Sequence, residues 1–243
     1  MFDRRQCKAV AKDLMRANWG PSVVVGLIVT FLAAGTGFFV NVDSQGWGKL
    51  IPADLWAAVS FILPAVSVAN ALYVIFVGNV ISVGGGGWFL RSAKGEKPSI
   101  ARAFDGFRIY GSAVTTSLLA AVFTFLWALL FIIPGIVKSY SYSMAKYIIY
   151  ENPSLSARQA LDLSQKITKG RKWDLFVLDL SWLGWALLSV LTLGVLDILY
   201  VAPYVHQTEA AVYNTMKYNS IQEGRVSPAD FEPAAPFADD QAR

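Results

Sequence analysis

Apolar residues in this chain gather into blocks of about twenty residues or more, separated by short charged segments. The first block, Pro21 to Val40, is long enough to cross a bilayer as one helix. From Leu55 to Leu90 the apolar run exceeds one span, and Pro64 is expected to divide it into an interfacial stretch and a helix over 65–90. A third span is read over 111–133, where Pro134 and Gly135 interrupt the pattern before a further apolar run over 136–150. The last block divides at Gly194 into spans over 173–191 and 195–217. The fold class implied is all-α: a polytopic helical membrane protein of about six transmembrane helices with amphipathic cytoplasmic helices. The count falls to four if 111–150 and 173–205 are single kinked spans.

Charge favours the larger count. Fifteen of the 21 Lys and Arg lie in the segments 1–20, 91–110 and 151–173, whereas the loop 41–54 has little positive charge. Six spans put all three basic segments on one side, as the positive-inside bias requires. Both apolar blocks at 111–150 and 173–217 are then hairpins, turning at Pro134-Gly135 and Gly194. They share the words Trp127-Ala128-Leu129-Leu130 and Trp185-Ala186-Leu187-Leu188, a faint sign of duplication.

The charged segments carry helix signals of their own. Residues 1–20 put Lys8, Lys12 and Arg16 on one face and Val10, Leu14 and Ala17 on another, which suits an interfacial helix anchored by Trp19. They hold no apolar core of a signal peptide. Ser99 can cap a short amphipathic helix ending near Gly106. Ser156 and Gln159 form a capping box for a helix with an Ala160 and Leu163 stripe, ended by Gly170. Residues 1–218 thus read as one membrane domain, and 219–243, rich in Pro, Ala and acid, as a disordered cytoplasmic tail.

Composition agrees. Only 16% of residues are charged and 55% are hydrophobic, against about 25% charged in soluble domains. The net charge of +4 does not signal nucleic acid, because the basic residues flank apolar runs. One cysteine, Cys7, and one histidine, His206, rule out an internal disulfide and leave too few ligands for a Cys/His zinc site.

Candidate chemistry is sparse. Charges within spans are costly and read first as functional. Lys146, Asp179 and Asp197 qualify, with Lys146 and Asp179 at similar depth as an ion pair between hairpins, or Asp179 on a proton or ion pathway. Gly78, Ser82 and Gly86 form a small-residue series for helix packing. The Gly84–Gly87 run lacks the Lys-Ser/Thr and strand of a phosphate-binding loop. No catalytic, metal or cofactor set is expected.

The words LWALLFIIPGIVKSYSYSMAKYIIYENPSLSARQAL, KGRKWDLFVLDLSWLGWALLSVLTLG and APYVHQTEAAVY, with Asn18-Trp19-Gly20 and Phe104-Asp105-Gly106-Phe107, carry a resemblance over most of residues 1–215. The chain resembles the domain-of-unknown-function 975 family of bacterial integral membrane proteins. The resemblance implies a multi-pass domain similar to the one attached to some bacterial glycerophosphodiester phosphodiesterases, here without the catalytic domain. It supplies no functional residues. It implies residence in the bacterial cytoplasmic membrane, and the charge pattern puts both termini on the cytoplasmic side. The expected function is non-enzymatic, a scaffold or modulator; the alternatives are a small transporter or channel using the intramembrane charges, and a lipid-binding domain. Expected partners are the lipid bilayer, anionic lipids included, and a membrane protein or second copy of the chain.

Overall fold

A computed structural model describes residues 4–34, 64–192 and 194–232, and every regular element among them is helical. The expected loop 41–54, the interfacial stretch before Pro64, the end of the first span and residues 233–243 lie outside these residues.

Helix α1 (Arg4–Ala17) meets α2 (Trp19–Ala34) at 106°. Its amphipathic pattern divides three ways. Cys7, Ala11 and Met15 are buried, Lys8 and Lys12 flank them half-buried, and Arg5, Arg16 and Val10 stay exposed. The bend and the exposed apolar edge suit a helix lying along a surface while α2 enters it. Cys7 lies beside Thr215 (Sγ to Oγ1, 3.6 Å), so its thiol is covered by protein.

Helix α3 (Pro64–Ala93) includes one π turn at Val74–Gly78. Its second half is buried on all sides, and the packing there depends on glycine. A Cβ at Gly78 would overlap Ala33 O, one at Gly84 Ala103 O, one at Gly85 Val29, and one at Gly87 the Tyr150 ring. The expected series Gly78, Ser82, Gly86 therefore needs correction. Ser82 is only half-buried, and Gly86 has ordinary contact with Tyr147 at 3.4 Å. Because partners surround α3, its close approaches do not follow a single four-residue face.

A 3-10 segment, Ile100–Ile109, runs alongside α3 and passes directly into α4 (Tyr110–Leu130). Gly106 does not end the segment as expected; it lets the backbone close on Val80 O of α3. The chain then reverses at Phe131 (φ −158°, ψ 139°), and α5 (Ile132–Tyr142) packs back along α4. The reversal thus precedes Pro134-Gly135. Pro134 sits in the first turn of α5, where its missing N–H is harmless, and Gly135 is the contact point, with a Cβ there falling 2.7 Å from Ala128 Cβ. After a turn at Ser143-Met144 the return continues as α6 (Ala145–Glu151), almost wholly buried.

The expected capping box starts α7 (Ala157–Thr168): Gln159 N donates to Ser156 Oγ and Ser156 N to Gln159 Oε1. Gly170 ends it at φ +77°. Helices α8 (Lys172–Leu180) and α9 (Leu183–Leu191) form the second outgoing arm. Gly194, at φ +84°, turns the chain and donates to Ser189 O at 2.8 Å, the closure that a left-handed helix end makes. A π turn (Asp197–Val201) leads into α10 (Ala202–Gln222). Trp182 against Tyr204 and Trp185 against Tyr200, with ring centroids 5.1 and 5.4 Å apart, zip the second hairpin.

Three described helices are long and apolar enough to cross a membrane: Pro64–Ala93, the continuous Ile100–Leu130, and Lys172–Leu191; the bent α1–α2 pair is a fourth only when counted as one span. The expected spans at 136–150 and 195–217 are not among them. The first is broken at Ser143-Met144, and the second carries Gln207 and Thr208 fully buried against neighbouring helices. Nor is either block one kinked span, since each folds back on itself.

The expected disordered tail also needs correction. Helix α10 runs to Gln222, and a 3-10 turn at Pro228–Phe231 seats Val226 and Phe231 in the core. Asn152 Nδ2 donates to Asp230 O at 3.2 Å, and Lys217 lies over the Phe231 ring at 4.3 Å. Two apolar side chains and one backbone contact anchor a segment whose composition alone reads as loose.

Candidate functional site: an ionic seam between two hairpins

The return arms α6 and α10 lie side by side with their chains running in the same direction, and polar side chains fill the seam. Lys146 Nζ meets Glu209 Oε2 at 2.8 Å, and Tyr147 Oη donates to the same oxygen at 3.3 Å. One step on, the Tyr147 and Tyr213 rings stack with centroids 5.1 Å apart. At the far end Glu151 accepts from Tyr213 Oη (2.5 Å), Lys217 Nζ (2.6 Å) and Lys94 Nζ (2.8 Å). The Glu151 side chain is only 8% exposed, so all three donors matter to its solvation. Burial alone would raise its carboxyl; the ammonium groups of Lys94 and Lys217 outweigh that and hold it below the ordinary carboxylate value.

Local sequence explains this convergence. Gly86 and Gly87 let α6 approach α3, so Tyr147 and Tyr150 fit against a side-chain-free surface. Tyr150 Oη in turn accepts from Arg91 Nε at 3.1 Å. His206 is stacked on Phe89 with ring centroids 5.3 Å apart.

Lys146 and Asp179 both line a cavity of about 100 Å³, with Tyr140, Tyr147 and Glu209. They do not pair as expected. Lys146 is taken by Glu209, and Asp179 accepts from Tyr140 Oη at 2.8 Å. Similar depth did not decide the pairing, because Glu209 on the neighbouring arm lies closer to the ammonium. Asp197 lies three residues beyond the Gly194 turn, outside this cavity.

Sequence reasoning missed Glu151, Glu209, Lys217 and Lys94 as a set. One signal was present: the first return arm carries Lys146 then Glu151, and the second Glu209 then Lys217, opposite signs in the same order. Only parallel alignment of the two arms turns that order into two ion pairs. Among the described residues no group of three His, Cys, Asp or Glu side chains is placed to hold a metal ion.

Fold and site together define a helical membrane domain whose core is an ionic seam between two hairpins. Residues 132–220, from the start of α5 almost to the end of α10, match the family model described as protein of unknown function (DUF975). Over these residues the chain is similar to that family. No curated protein and no solved structure matches it.

Proposed function

We propose that this chain is a non-enzymatic domain of the bacterial cytoplasmic membrane that works through contacts, as a scaffold or modulator of a membrane partner. The observation that carries this reading is the division of labour in the molecule. Charged groups at the seam are neutralised by opposite charges, while the outer faces of the arms leave Phe125, Leu129, Leu183 and Leu187 more than half exposed. Such surfaces suit lipid and the flanks of other transmembrane helices. Photo-crosslinking from positions 125 and 183 in intact membranes tests it. One reproducible partner, or a second copy of the chain, is expected; lipid adducts alone would sink the scaffold reading.

A transporter is the second reading, favoured by the cavity that Asp179 lines. Its volume of about 100 Å³ has room for a few waters at most, each occupying about 30 Å³ in the liquid, so only a proton or small cation would fit. Flux in reconstituted vesicles that Asp179→Asn abolishes would establish this reading in place of the first.

A further inference from the structure

Where the second outgoing arm begins, four lysines have no acidic partner among the described residues. Lys166 and Lys169 at the end of α7, with Lys172 and Trp173 at the start of α8, line a shallow open depression of about 540 Å³. Gln165 forms part of its wall and accepts from Lys138 Nζ at 3.0 Å, which brings a fourth ammonium to the edge. Lys172 feels the charge of Lys138. Among the described residues none of the four forms an ion pair, in contrast to neighbouring Arg171, which meets Glu223 at 3.5 Å. Like charges held together without a counter-ion are a standing cost, which an anion relieves.

The surroundings narrow the choice of anion. Trp173 is 72% exposed at the rim, and it opens an arm whose Leu180, Leu183 and Leu187 are exposed apolar residues. Lys138 lies over the Trp127 ring at 5.1 Å, so the same boundary carries a second amphipathic aromatic. Tryptophan and lysine at the edge of an apolar surface mark the headgroup level of a bilayer. Gly170, at φ +77° with no heavy atom near where a Cβ would stand, keeps the approach between the lysines open.

We propose that this depression binds the phosphate of an anionic phospholipid, with Lys166, Lys169 and Lys172 around the phosphate and Trp173 against the acyl–glycerol region. The site rests on the membrane reading above. Its ligand is a lipid headgroup rather than free phosphate, because the apolar arm continues directly from the rim.

The test uses full-length protein purified in detergent and reconstituted into nanodiscs of phosphatidylcholine with phosphatidylglycerol, with retained lipid counted by native mass spectrometry. Wild type is expected to retain phosphatidylglycerol over phosphatidylcholine, and the K169Q/K172Q pair to lose roughly thirtyfold in that preference, about fivefold per lysine. K169R/K172R should keep it. Should the glutamine pair fail to fold, Lys166→Gln alone, exposed on α7, carries the test with a loss of about fivefold. Equal retention of both lipids by wild type, or an unchanged preference in the glutamine variants, overturns the site. Displacement of phosphatidylglycerol by millimolar inorganic phosphate overturns the lipid assignment. A chain extracted from vesicles by alkaline carbonate overturns the membrane reading itself, whereas an embedded chain without headgroup preference overturns only the site.

Discussion

The two hairpins solve one problem with different chemistry. Each sends out an apolar arm, turns in a stretch without Asp, Glu, Lys or Arg, and returns to the ionic seam. In the first, a single extended residue, Phe131, makes the reversal, and close contact between Gly135 and Ala128 holds the arms together. In the second, the left-handed Gly194 makes the turn, and the Trp182–Tyr204 and Trp185–Tyr200 ring pairs hold the arms. The breaks also differ in place. The first hairpin breaks its return arm at Ser143-Met144. The second breaks its outgoing arm at Ser181-Trp182, where Lys8 of α1 docks with Nζ 2.6 Å from Ser181 Oγ and 3.9 Å from the Trp182 ring centroid. The shared Trp-Ala-Leu-Leu words do not mark equivalent contacts, since Trp127 faces Lys138 and Trp185 faces Tyr200. Likeness between the hairpins lies in architecture, and it converges where their return arms exchange charges.

The strongest way to break that convergence is Glu151→Ala. It leaves Lys94 and Lys217 facing each other without a carboxylate, at a cost of about 3 kcal/mol, measurable by thermal unfolding in nanodiscs. The same residue sets a pH dependence. Its carboxyl is depressed in the folded state, so its stabilisation is complete at neutral pH and is lost as pH falls through the folded value, below the ordinary carboxylate range. Wild type should therefore lose more melting temperature than Glu151→Gln between pH 7 and that range; equal losses would refute the assignment.

The turns come next. Gly135→Ala sets a methyl group against the α4 backbone and should cost about 1–3 kcal/mol. Gly194→Ala forces a side chain into the left-handed region and should cost about 1–2 kcal/mol. If the turns differ as described, Ala128→Gly recovers only part of the first loss, because the Ala128 Cα stays 2.8 Å from the added Cβ, and none of the second. Recovery of Gly194→Ala by a packing change would show that the two turns are alike after all.

Lys146→Met should have the smallest effect, about 1 kcal/mol or less, because Lys146 and Glu209 are both partly exposed. An effect as large as that of Glu151→Ala would mean that the two ends of the seam are equally buried.

The helical membrane class was legible because it depends on local quantities: runs of apolar residues, charges at their edges, and helix signals such as Ser156 with Gln159. Counting spans was harder. Buried core and lipid-facing surface both select apolar side chains, so α6 reads as part of a span although neighbouring helices enclose it. The ordered segment through Phe231 was hidden for the opposite reason: a few long-range contacts hold it, and its composition is that of a loop.

By itself the sequence determined the class of protein, the places where the chain leaves its apolar runs, and the glycine at 194 that permits a turn. Tertiary structure alone decided which charges meet. Lys146 stood at a depth compatible with Asp179, but parallel packing of α6 and α10 brought Glu209 to 2.8 Å and left Asp179 to Tyr140. Ion pairing depends on distances of a few ångströms between side chains far apart in the chain, and hydrophobic periodicity carries no record of those distances.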